Sequence, residues 1–96
     1  MTDEDVYGLV EELARELEAT AERPVEREAS RWIGEADAVA GDIAGTDVSP
    51  DVLEERISHV DRLLSEVDGT GDPSADGHVE EAKQLVGDIR GALDAR

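Results

Sequence analysis

The chain has 96 residues, with 26 Asp or Glu against nine Lys or Arg, a net charge of −17 and no Cys. That length suits one domain, residues 1–96, with a single modest core, and without Cys it has neither a disulfide nor a cysteine–zinc site. A surface this acidic repels phosphates, which argues against nucleic acid as a direct partner.

The first helix is expected over about residues 3–22. Thr2 is its candidate cap, Asp3, Glu4 and Asp5 suit the positive helix start, and Val6, Val10, Leu13 and Leu17 form an apolar seam widened by Leu9 and Ala14. Glu11 and Arg15 stand four apart, acid before base, the order that favours an ion pair. Pro24 then interrupts. Carrying the stripe through Leu17, Ala21, Val25 and Ala29 needs repeated gaps of four, which rotate it by about 40° per step, so a tight turn is preferred to one kinked helix.

Residues 24–44 read as the central helix, with Pro24 at its first position. Val25, Ala29, Trp32, Ala36, Val39 and Ile43 alternate gaps of four and three and keep one face apolar, placing Trp32, the single tryptophan, inside the seam. Gly45, Thr46 and Asp47 close it. The third helix, about residues 50–67, has the clearest start: Ser49 as cap, Pro50 first, Asp51 in the first turn, and Val48 stapled to Leu53. Its seam is Leu53, Ile57, Val60, Leu64 and Val67. Residues 68–76, DGTGDPSAD, are the one long connection. The fourth helix is expected at about residues 77–95, capped by Ser74 or Asp76, with Val79, Ala82, Val86, Ile89 and Leu93 inward and Leu85 beside them. Four helices of matched length, about 30 Å each at 1.5 Å per residue, predict an all-α, antiparallel four-helix bundle.

The charge carries a further reading. Phe and Asn are absent and Lys83 is the sole lysine. So many short carboxylates repel one another in dilute buffer, whereas in molar salt the Debye length falls to about 3 Å and the repulsion is screened. The composition therefore fits a saline cytoplasm. The opening MTDEDVYG lacks a basic region followed by an apolar run, so no signal peptide is expected, and no stretch has membrane-spanning length.

Chemistry-bearing residues are sparse. Asp72, Ser74 and Asp76 with Gly77 echo the opening of a helix–loop–helix calcium site, and Asp68 and Glu80 could add oxygens. The twelfth position, which should be Glu, is Lys83, so a flexible acidic turn ending in a helix cap is the preferred reading. Asp51 and Glu54 are the only acids three apart, and no Glu-x-x-His occurs, so converging metal ligands are not expected. The two histidines, His59 and His78, flank their seams without an evident acid–base partner. Arg23, Arg27 and Arg31 form the one basic stripe, expected to pair with Glu22, Glu26, Glu35 or the first helix, or else to dock an acidic partner or a second copy. Gly34, Ala38, Gly41 and Gly45 line the back of the second helix, and Gly87 and Gly91 repeat the pattern on the fourth; glycines weaken a helix by about 1 kcal/mol each, so the stripe fits either a Gly- and Ala-rich composition or close approach of another helix in a homodimer.

At Glu22-Arg23-Pro24-Val25, Ser30-Arg31-Trp32-Ile33-Gly34-Glu35-Ala36 and Val67-Asp68-Gly69-Thr70-Gly71-Asp72-Pro73 the chain resembles a small family of uncharacterised proteins from halophilic archaea. The resemblance implies a cytoplasmic, salt-adapted helical protein and lends no activity or cofactor. Together the residues favour a non-enzymatic protein-interaction or self-assembling module, with divalent-cation binding through residues 68–80 as the alternative and an enzyme last.

Overall fold

Each amphipathic segment becomes a helix in the computed structural model, which describes residues 6–46 and 48–95. They are α1 (Val6–Ala21), α2 (Arg27–Ile43), α3 (Pro50–Ser65) and α4 (Pro73–Asp94), and the described residues contain no strand. A 16-residue helix such as α1 is about 24 Å long, while the five residues joining it to α2 reach about 17 Å fully extended. Helices that touch along their lengths across so short a link must run antiparallel. Each helix packs on two neighbours in a ring, α1 on α2 and α4, and α3 on α2 and α4. The result is an antiparallel four-helix bundle measuring 38 × 22 × 20 Å.

The core follows the predicted seams with one rotation. Val10, Leu13 and Leu17 of α1, Leu53, Ile57, Val60 and Leu64 of α3, and Ala82, Val86 and Ile89 of α4 are buried together. On α2 the buried residues are Ala29, Ile33, Ala36, Ala40 and Ile43. The expected stripe shares Ala29, Ala36 and Ile43 with this set but places Trp32 and Val39 where Ile33 and Ala40 lie. Both stripes have gaps of four and three, so spacing does not separate them. Size does: Ala40, fully buried, takes less room between helices than Val39 would, and Ile33, fully buried, less than an indole. Trp32 therefore lies half-buried on the flank, packed against the main core and against a smaller cluster of Ala29, Ile33, Val67 and Val79.

Helix ends account for the remaining differences. Thr2 and the acids Asp3, Glu4 and Asp5 lie outside the described residues, as does Asp47. Pro24 does not open α2; residues 24–26 lie outside the helix, and Glu26, with an extended backbone, holds the cap position, its N–H donating at 2.8 Å to the Thr70 carbonyl across the bundle end. Ser49 caps α3 as expected, its Oγ accepting from Val52 N at 3.3 Å, and Val48 packs on the core. The fourth helix starts earlier than expected: Pro73 is its first residue, and Asp72, rather than Ser74 or Asp76, caps it by accepting from Ala75 N at 2.9 Å. The Asp72-Pro73 pair repeats the logic of Ser49-Pro50. The helices thus have 16, 17, 16 and 22 residues instead of matched lengths. Gly45 follows the α2 cap residue Ala44 with φ +77°, the left-handed step that ends a helix and that L side chains adopt at a cost.

Candidate functional site

Two regions carry polar chemistry. The first is the pole where α1 ends, α2 begins, α3 ends and α4 begins. Thr70 is fully buried there. Its N–H donates to Asp76 Oδ1 at 2.9 Å, and its hydroxyl lies 2.7 Å from the same oxygen and 2.9 Å from the Asp72 carbonyl, while accepting from Asp72 N at 3.1 Å. Its own carbonyl accepts from Glu26 N. One threonine therefore joins the α1–α2 and α3–α4 connections. The hydroxyl and then the backbone N–H of Thr70 stabilise the ionised Asp76 carboxyl and hold it below the usual carboxylate range. Gly71, at φ +82°, lies so close to the other connection that a Cβ there would come 3.0 Å from Glu26 Cγ.

These bonds redirect the residues considered for a cation. Asp72 caps α4, Asp76 holds Thr70, and Ser74 is exposed in the first turn of α4. A calcium loop of helix–loop–helix type requires an irregular backbone where Pro73 to Gly77 are already helical. Asp68, Asp76 and Glu80 do line one recess of about 270 Å³, with Lys83 beside them. A neighbouring recess of about 380 Å³ shares Asp68 and Gly69 and is bordered by Glu26, Glu28 and Glu66. Among the described residues no three His, Cys, Asp or Glu side chains converge as a metal would need.

The second region is the outward face of α2. Arg27, Arg31, Gly34, Ala38 and Gly41 are all exposed, opposite the buried stripe, and Arg23 is exposed in the turn before it. A Cβ on Gly34, Gly41 or Gly45 would meet nothing within 4 Å. The expected ion pairs of this basic stripe are not formed: among the described residues no carboxylate lies within 4.0 Å of Arg23, Arg27 or Arg31. Arg31 instead places its guanidinium 5.3 Å from the centre of the Trp32 ring. Gly87 and Gly91 are likewise exposed on α4 with open space around them.

The observed contacts of charged and titratable side chains join different helices. His78 Nδ1 lies 2.8 Å from Glu16 Oε1, linking α4 to α1, and Arg90 donates to Asp61 Oδ2 at 2.7 Å, linking α4 to α3. Residues 62 and 29 positions apart carry no mark of pairing in a linear reading. The Glu11–Arg15 pair expected along α1 is absent among the described residues. His59 is half-buried on α3. On α2, Asp37 is pushed above the usual carboxylate range, first by burial and then by the charges of Glu18 and Glu22.

Fold and sites together define an acidic four-helix bundle, tied at one pole by a buried threonine and carrying arginines on one outer helix face. The chain belongs to the family described as a domain of unknown function, DUF8152, which matches residues 9–96 and so spans most of α1 and all of α2, α3 and α4. Comparison with curated proteins and with solved structures gives no match.

Proposed function

We propose that this chain is a non-enzymatic interaction module that works in concentrated salt, in the cytoplasm of a halophilic archaeon, and binds a protein partner or a second copy of itself through the outward face of α2. The observation that carries this reading is the contrast on the surface. Arg23, Arg27 and Arg31 stand exposed without a carboxylate partner among the described residues of a chain whose net charge is −17. An unpaired basic stripe in so acidic a field attracts acidic surfaces while the rest of the molecule repels them. Composition supports the salt requirement, since the same charge destabilises the monomer unless screened. No helix of the described residues is long and apolar enough to cross a membrane, in keeping with a module that acts away from the bilayer.

Sedimentation of Arg27→Glu and the unaltered chain in molar KCl tests the reading: reversal should weaken association while far-UV circular dichroism stays unchanged. Equal association of the two proteins would remove this face from the account. Divalent-cation binding through residues 68–80 is the alternative, resting on Asp68, Asp76 and Glu80 around one recess, with Lys83 opposing it. Calorimetry with calcium in molar KCl separates the two, because a heat of binding lost in Asp68→Asn and Glu80→Gln would favour the alternative.

A further inference from the structure

The seams between helices differ in how charge meets across them. α4 is joined to α1 by His78 and Glu16 and to α3 by Arg90 and Asp61, a base facing an acid in each. Among the described residues no ion pair joins α2 to either of its neighbours. Its seam with α1 sets like charges together instead: half-buried Asp37 feels the carboxylates of Glu18 and Glu22, on the last turn of α1 and just beyond it. Independently of what binds its outer face, we propose that α2 is a salt-gated element of the bundle, docked on α1 and α3 in concentrated salt and the first helix to come away in dilute buffer.

The other properties of α2 point the same way. Three of its five buried residues are alanine, and no side chain caps its start, whereas Ser49 caps α3 and Asp72 caps α4. Gly34 and Gly41 stand in its interior with open space around them, where glycine weakens a helix relative to alanine. The bond from Glu26 N to the Thr70 carbonyl holds only its cap residue. α4 also carries exposed glycines, but it is capped and tied to both neighbours. α1 shares the repulsive seam, yet it buries Leu13 and Leu17 whole. Glu16 ties it to α4, and Tyr7 ties it to the α2–α3 connection by donating to the Val48 carbonyl at 2.8 Å. Salt acts on these seams with opposite signs. Screening relieves the repulsion among Asp37, Glu18 and Glu22 and weakens the attraction between Arg90 and Asp61. The element with the fewest ties and a repulsive seam is the one whose local opening follows the salt most steeply.

Amide hydrogen exchange of the full chain, read by mass spectrometry, tests the proposal. Lowering KCl from molar to about 0.1 M lengthens the Debye length from about 3 to about 10 Å. Protection of the amides of residues 33–43 in α2, relative to residues 82–89 in α4, should then fall about tenfold. Glu18→Gln combined with Glu22→Gln changes two exposed side chains and should cut that fall to about threefold or less. Glu55→Gln combined with Glu80→Gln removes two exposed carboxylates from α3 and α4 instead and should leave the fall unchanged. Equal loss of protection in α2 and α4 of the unaltered chain overturns the gating, because the bundle then opens as one unit. A fall that survives the Glu18 and Glu22 changes also overturns it. So does a recovery as complete with the Glu55 and Glu80 changes, because net charge and not the α1–α2 seam would then be the cause.

Discussion

Buried Thr70 and exposed Asp76 share the tightest polar contact between the α3–α4 connection and the first turn of α4, the hydroxyl lying 2.7 Å from Oδ1 and the Thr70 N–H donating to the same oxygen at 2.9 Å. Thr70→Val keeps the shape and removes the hydroxyl, leaving Asp72 N without its acceptor. The expected cost is about 1–2 kcal/mol in chemical denaturation. The ionised Asp76 is the form these bonds favour, so its contribution is full above the unfolded carboxylate range and is lost as pH falls through its depressed value. Asp76→Asn should therefore reduce the acid sensitivity of folding, and an unchanged acid limb would assign that sensitivity to other carboxylates.

Asp37 has the opposite sign. Burial, then Glu18 and Glu22, raise its value in the folded state, so the stability linked to its protonation is present below the unfolded carboxylate range and lost as pH rises through the raised value. Asp37→Asn should raise the melting temperature at pH 7 and lose that advantage in acid. Molar KCl should remove only part of the gain, because salt screens the two neighbours but not the burial. Full loss of the gain in salt would make the neighbouring charges the larger cause.

Ile33 is fully buried and Trp32 half-buried. Truncating Ile33 to Ala should cost about 2–5 kcal/mol. Trp32→Ala should cost about 1–2 kcal/mol, less than a fully buried indole because part of its surface is already in water. Denaturant midpoints of the two variants, at equal m, check the order; a larger loss for Trp32 would return the indole to the centre of the seam.

Gly71 combines φ +82° with a contact that a Cβ would make to Glu26 at 3.0 Å. Gly71→Ala should destabilise the fold by about 1 kcal/mol or more. Gly34→Ala, with open space and ordinary helical φ, should instead stabilise the monomer by up to about 1 kcal/mol. Thermal melts of the two variants should move in opposite directions.

A net charge of −17 makes folding itself a function of salt. Helicity and melting temperature should climb from dilute buffer to molar KCl as screening shortens the range of repulsion. A melting temperature indifferent to KCl would remove the salt-adaptation reading.

Local and periodic features were legible along the chain. Ser49-Pro50 announces α3 because capping and proline geometry act within a few residues, and the seams of α1, α3 and α4 follow from helical periodicity alone. Four amphipathic helices joined by short links leave an antiparallel bundle as the economical packing, and so the class of fold was legible too. Features that depend on contact between distant segments were not. Ala29, Ala36 and Ile43 belong to two equally periodic stripes on α2, and only the space between neighbouring helices sets Ile33 inside and Trp32 at the flank. Thr70 looks like an ordinary loop residue until Glu26 and Asp76 arrive from other segments, and Glu16 meets His78 only when α1 and α4 lie side by side. Helix periodicity repeats every few residues and is written in the chain, whereas which of two adjacent faces turns inward, and which polar groups meet, depends on the volume and hydrogen-bonding needs of partners far away in sequence.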